Sequence, residues 1–309
     1  VQSLAFRFEP EESRTGIYVL TFSDGYRYVG QSLNVVNRFS SHRRRWDDIT
    51  HIAFRAFMPD ELNAREREVL AAIERQGHNV RNLDLAGHPG GDSLLDVVME
   101  EEAQAEWLDS VSPEPTDAPR YLAATRRMAG LQKFHQLMAR PDAEGLISAA
   151  ATYISLAIPW PSQTEGRFWT ATAMSTTGRR PDRRRLITIS AQNAEVLVIG
   201  ETTTNSGCEV TGFLNIDKGA TSIDRWLQRH GIDAVVETAS YGTIGNVSRI
   251  HFSGLPSLAL LFAEGSPIAK PAKTLALNLM RKGPSMYTRF HNDHLADAVF
   301  NRMAHKDRI

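Results

Sequence analysis

Six residues in the first third of the chain have the types and spacing that phosphate chemistry needs: Tyr18, Tyr28, Arg38, His42, Glu66 and Asn82. Cutting a phosphodiester requires a water made nucleophilic, a cation on the charge that develops at phosphorus, and stabilisation of the leaving 3′ oxygen. Arg38 offers planar, permanently charged donors suited to phosphate oxygens. A lone carboxylate such as Glu66 is a poor metal cage. It is an adequate anchor for Mg²⁺ (or Mn²⁺), which keeps most of its waters and takes other ligands from substrate phosphate. His42 follows Arg38 by one helical turn and shares its face, where it can relay a proton or touch phosphate. Tyr28 is suited to orienting the phosphate or the water, and Asn82 to positioning its neighbours by hydrogen bonds.

Each of these residues alone has an ordinary role. A strand tyrosine packs, helical Arg and His form a solvated face, and Glu66 is one of several carboxylates beside Glu68. Their joint order is what stands out. The tripeptides Gly16-Ile17-Tyr18 and Tyr28-Val29-Gly30, followed by Arg38, His42, Glu66 and Asn82 at these gaps, resemble the GIY-YIG nucleases. That family includes intron-homing endonucleases and an excision-repair nuclease subunit. The resemblance covers residues 14–82 and nothing of the C-terminal part.

The resemblance implies a metal-dependent DNA endonuclease with Tyr18 as general base or water-orienting group. A free tyrosine titrates near about 10, so a metal or an arginine must lower it. Glu66 is preferred over Glu68 because Leu70 stands one turn after it, as in the family pattern. Asn79 competes with Asn82, and His51 is an alternative match for a further polar position. Restriction or defence is the expected role. Homing, repair, service as the nuclease subunit of a larger complex, and a DNA-binding protein that has lost activity stay open. One active site cuts one strand, so double-strand cleavage calls for a homodimer or two encounters.

These residues must be held by a compact α/β unit. Runs 15–22 and 26–31 are β-rich around Ser23-Asp24-Gly25, a hairpin signal with a glycine to take positive φ. A helix is predicted near 34–46, a strand over 52–57, and a helix over 62–76 whose Leu62, Val69, Leu70 and Ile73 share one face. The breakers from Gly87 to Gly91 close a module of residues 1–91, a three-stranded sheet flanked by helices. Residues 92–119 read as an acidic helix (94–108) and a Pro-rich linker (112–119). Residues 120–309 read as a larger mixed α/β domain, for DNA binding or dimerisation. Helices are predicted there at 120–139, 143–155, 222–230, 256–262, 272–281 and 292–303. Strands are predicted at 168–175, 186–190, 195–200, 210–216, 234–238 and 247–252. The fold class is α/β, of the α+β kind.

Charge sharpens this division. The total is −1, yet residues 1–91 carry twelve Arg against twelve acids, residues 92–119 nine acids and no base, and residues 120–309 a net of +8. No Lys precedes Lys133, so phosphate contacts in the first module fall to Arg, above all Arg43, Arg44 and Arg45. In the basic domain, Arg179, Arg180, Arg183, Arg184 and Arg185 are expected on an exposed hairpin tip able to track phosphates. His291-Asn292-Asp293-His294 invites a metal reading but lacks a clear third ligand, so a helix cap is preferred. The single Cys208, the absence of a signal-like start and the lack of a long apolar run point to a cytoplasmic protein with no membrane partner.

Overall fold

The computed structural model describes residues 4–9, 11–81, 93–109, 114, 120, 124–178, 180–205, 207–218, 223–241, 245–263 and 265–306. Of these, the side chains at 41, 45, 63, 101, 124–129, 305 and 306 are outside the description. The chain divides into two compact units, Val1–Asp92 and Ser93–Ile309, each of mixed helix and strand.

In the first unit the central strand β1 (Gly16–Phe22) is flanked by β2 (Arg27–Ser32) and β3 (Ile49–Ala56), all antiparallel. Gly25 takes φ +84° in the β1–β2 turn, the conformation that the hairpin signal anticipates. Side chains alternate along β1, and each face buries a different cluster. Ile17 joins Val29, Val80 and the helix α2 (Leu62–Arg75) through Leu62, Leu70 and Ile73. Tyr18, Leu20 and Phe22 join Ile49 and the helix α1 (Val35–Arg45) through Val35 and Phe39. The side chain of Asn34 caps α1 by accepting from the Asn37 N–H. Strand β3 begins three residues before the expected position because Ile49 already pairs with Phe22, across a bulge in β3 that leaves Thr50 without a partner in β1's register.

The second unit opens with α3 (Glu101–Asp109), then α4 (Ala124–Met138), α5 (Ala143–Ala157) and the single turn α6 (Pro161–Thr164). Strands β4 (Trp169–Ala173), β5 (Arg183–Ala191), β6 (Ala194–Thr204) and β7 (Gly207–Ile216) follow. Next come α7 (Ile223–Arg229), β8 (Ala234–Tyr241), β9 (Gly245–Ser253), α8 (Gly254–Leu261), α9 (Ala269–Arg281) and α10 (Asp293–Lys306). The strands form one antiparallel sheet in the order β4-β5-β6-β7-β9-β8. Helices α5, α8 and α9 pack on one face over Leu197, Ile199, Leu214 and Ile250.

Two expectations change here. Residues 94–108 are not one solvated acidic helix in a connector. Leu94–Val98 are turns, and Leu95, Met99 and Trp107 are buried in the core of the second unit. Two of the acidic groups are tied down: Asp96 accepts from Arg281 at 2.9 Å and from the Gln104 amide at 2.7 Å, and Asp109 pairs with Lys270 at 2.8 Å. Apolar residues placed between the carboxylates give this segment a buried side, which is why it joins the core. The linker over 112–119 lies outside the described residues apart from Glu114, whose carboxylate caps the Ser162 and Gln163 N–H groups. The second change concerns the arginine tract: Arg183, Arg184 and Arg185 are the first residues of β5, not a hairpin tip. Carboxylates of the neighbouring strand hold two of them in the sheet, Arg184 to Glu201 and Arg185 to Glu195. Among the described residues no helix is long and apolar enough to cross a membrane.

Candidate active site

The site is built around the β1–β2 pair. Tyr18 and Gly30 are direct partners across the two strands. The Tyr18 ring lies over Gly30 so closely that a Cβ there would stand 2.3 Å from the phenol oxygen. Gly16 is equally confined, since its Cβ would meet the Arg55 carbonyl oxygen at 2.1 Å. The glycines in the two tripeptides are thus demanded by close approach of ring and backbone.

Helix α1 brings Arg38 and His42 to the same place. The Tyr18 hydroxyl and His42 Nε2 are 2.6 Å apart, both side chains being buried. His42 stacks on Trp46 with ring centroids 5.0 Å apart and planes 5° from parallel, and Tyr28 packs against both. The exposed Arg38 hydrogen-bonds the Tyr18 and Tyr28 hydroxyls. A guanidinium can only donate, so both phenol oxygens accept from it, and the Tyr18 hydroxyl has both His42 Nε2 and Tyr28 within hydrogen-bond reach.

Electrostatics corrects the expectation for Tyr18. Burial, and next the neighbouring Tyr28, push its pKa above the ordinary value; the opposing pull of Arg38 is the weaker influence. Tyr18 is therefore a neutral hydroxyl in the free protein. A hydrogen bond to Tyr18 in turn holds the Arg38 proton more tightly.

Glu66 and Glu68, equivalent by composition, part company in three dimensions. Glu66 lies in the apolar stripe of α2, one turn from Leu62 and from Leu70, and is only 6% exposed. Glu68 is exposed and pairs with Arg65 at 2.8 Å. Burial raises the Glu66 pKa, against hydrogen bonds from the Gln31 backbone and side chain and the field of Arg67 and Arg38. In β2 the odd-numbered residues turn their N–H groups to the free edge, as Arg27 does in bonding the Asn79 carbonyl at 2.9 Å, so Gln31 can meet a carboxylate from α2. Gln31 carries no motif that would have singled it out. As a donor set, a single desolvated carboxylate with Arg38 nearby suits a cation that brings its own waters and takes its remaining ligands from phosphate.

Other expected residues divide. Asn82 and Arg179 lie outside the described residues. Asn79 contributes its backbone to the sheet edge. His51 is exposed on β3, its Nδ1 3.1 Å from the Thr50 hydroxyl. Arg43 donates through Nη1 to the Ile49 carbonyl at 3.2 Å and ties α1 to β3. Arg44 is exposed, and Arg45 closes α1 by its backbone. Arg81, which the motif does not contain, stacks 3.7 Å above the Phe22 ring and bonds Asp24 and Asp48, pinning the β1–β2 turn.

Far along the chain, Glu165, His291 and Asp293 bring three donor atoms within 4.8 Å of one another, all buried. The third partner that the sequence lacked for His291 is Glu165, supplied by tertiary folding. Hydrogen bonds commit the group otherwise. The Ala171 N–H donates to His291 Nδ1 at 3.1 Å, so the ring proton sits on Nε2, directed at Glu165 3.0 Å away. Arg120 forks onto both Glu165 oxygens at 2.6 and 2.8 Å. Burial opposes the Glu165 charge, but Arg120 and His291 outweigh it and hold its pKa low. Asn292 caps α10 by accepting from the Leu295 N–H at 3.1 Å, the role preferred from sequence.

No protein-family model, curated protein or solved structure matches this chain.

Proposed function

We propose that the first unit is a nuclease of the GIY-YIG type that hydrolyses DNA phosphodiester bonds in a restriction or defence role. The observation that carries this reading is the convergence of Tyr18, Arg38 and His42, with its 2.6 Å Tyr18–His42 contact, alongside a Glu66 that is buried and lightly neutralised. In this reading Arg38 grips a non-bridging phosphate oxygen and holds it over the two phenols. Water gives its proton toward Tyr18 as Tyr18 passes its own to His42, so the phenol need not ionise. Tyr28 orients the phosphate. A divalent cation anchored by Glu66 would supply Lewis-acid stabilisation of the phosphate and leaving-oxygen charge.

The test is incubation of the full chain with supercoiled plasmid and with phage DNA, in Mg²⁺ and in EDTA. Metal-dependent nicks or fragments are expected, and Glu66→Gln should remove them. A second reading, a DNA-binding protein without cleavage, draws on the near-complete burial of Tyr18, 1% exposed. Retention of DNA with no cutting in any divalent metal would favour it.

A further inference from the structure

Helices α5, α8 and α9 cover one face of the large sheet, and the opposite face holds a groove that is not electrostatically neutral. Register puts Arg183 beside Thr202 and Arg185 beside Gly200, and carries the same face on through Thr211 to Ser253 and through Phe213 to His251. A groove of about 460 Å³ runs over these strands. Five arginines line it (Arg180, Arg183, Arg184, Arg185 and Arg249), and Glu209 is the sole carboxylate among its lining residues.

Two kinds of arginine are present. Arg249 is set in place: it lies 4.3 Å above the Phe213 ring, with Nη2 on the Tyr241 hydroxyl at 2.7 Å, Nε on Asn215 at 3.1 Å and Nη1 3.7 Å from the Glu237 carboxylate. Arg180 and Arg183 are exposed, and among the described residues no carboxylate pairs with them. Strands β5 and β9, which carry Arg183 and Arg249, are three strand spacings apart in the sheet, roughly 14 Å. A single small anion cannot reach both; an extended polyanion can. Gly200 leaves the floor low between them, and the Thr202, Thr211 and Ser253 hydroxyls offer the neutral donors that phosphate backbones accept.

We infer that this open sheet face is the surface on which the second unit holds a polynucleotide backbone, an inference that rests on the nuclease reading of the first unit. The binding is to phosphate and sugar, and it extends from the arginine tract across the sheet to Phe213 and Arg249.

The experiment is filter binding of the full chain carrying Glu66→Gln, with a DNA duplex and a single strand of equal length, over a range of salt. Arg180→Gln with Arg183→Gln should weaken binding at least tenfold at low salt. It should also flatten the log–log salt slope by about 2 on duplex or about 1.4 on single strand, the difference telling which form is held. Thr211→Glu, which adds a charge to the groove without removing a cation, should weaken it as well. Arg229→Gln on α7, outside the groove, should change neither quantity. The inference is overturned if the parent retains neither form of DNA, if the groove variants leave the slope unaltered, or if Arg229→Gln costs as much. Displacement by polyglutamate as readily as by DNA would also overturn it, since the face would then read charge alone. Plasmid cleavage by the wild-type chain, scored separately, reports on the nuclease reading: binding without cleavage retains the surface and removes the enzyme, and cleavage with unaltered binding does the reverse.

Discussion

Glu66 shows how much chemistry a single burial decides. Its folded-state pKa lies above the ordinary carboxylate value because of burial, so folding favours the protonated form. The associated stability is complete below the unfolded pKa and is lost as pH rises through the folded one. Glu66→Gln should therefore unfold at a higher temperature than wild type near neutral pH, with the gap closing toward pH 4. Mg²⁺ should raise the midpoint of wild type at neutral pH and leave that of Glu66→Gln where it was. Differential scanning calorimetry with and without EDTA measures both, and a metal-independent midpoint for wild type removes Glu66 as anchor. Glu68→Ala should leave cleavage intact, since that side chain bonds only Arg65 among the contacts described for it.

At the same scale, Arg38→Lys should lose most of the cleavage rate, because one ammonium cannot span both phenols and a phosphate oxygen. Tyr18→Phe keeps the packed ring and leaves His42 Nε2 without the phenol, for a stability cost of about 1 kcal/mol and a lowered turnover. Single-turnover kinetics and urea unfolding of the two variants separate these effects. Full turnover in Tyr18→Phe would transfer proton acceptance to His42 alone.

Among the elements, the β1–β2 pair and α3 make opposite points. Gly30→Ala would drive a methyl into the Tyr18 ring, which has no room to retreat beneath α1. A loss of roughly 1–3 kcal/mol from overpacking is expected, with cleavage falling because Tyr18 must move. In α3, Trp107 is buried against the second unit and lies beside the Lys273 ammonium, 5.0 Å from the ring centroid. Trp107→Ala should cost about 3–5 kcal/mol in denaturant unfolding, the range for a large buried aromatic. A near-neutral result would return residues 101–109 to the status of a solvated spacer.

For the whole molecule the important quantity is where charge sits. The first 91 residues are neutral and lysine-free, whereas residues 120–309 carry +8. Duplex affinity comes largely from neutralised phosphates. Residues 1–92 by themselves should accordingly bind and nick plasmid far less well than the full chain, a difference that shrinks as salt is raised. Parallel salt titrations of the two proteins check it; equal affinity would make the second unit an assembly or partner-docking domain.

Sequence alone was enough for much of the local order: most of the strand and helix runs, the hairpin at Gly25, and the six residues whose spacing suggested phosphate chemistry. Those features depend on side-chain period, on positive φ and on groups within a turn of one another, and such rules act over a few residues. Other outcomes required the chain to close over long distances. Gln31 reaches Glu66 only because α2 crosses the β2 edge, and Glu165 meets His291 only across 126 residues. Arg184 and Arg185 are held in the sheet by Glu201 and Glu195 of the neighbouring strand, and the proton on Tyr18 stays because burial outweighs Arg38. Desolvation and ion pairing depend on what surrounds a group in space, and linear spacing carries no measure of that.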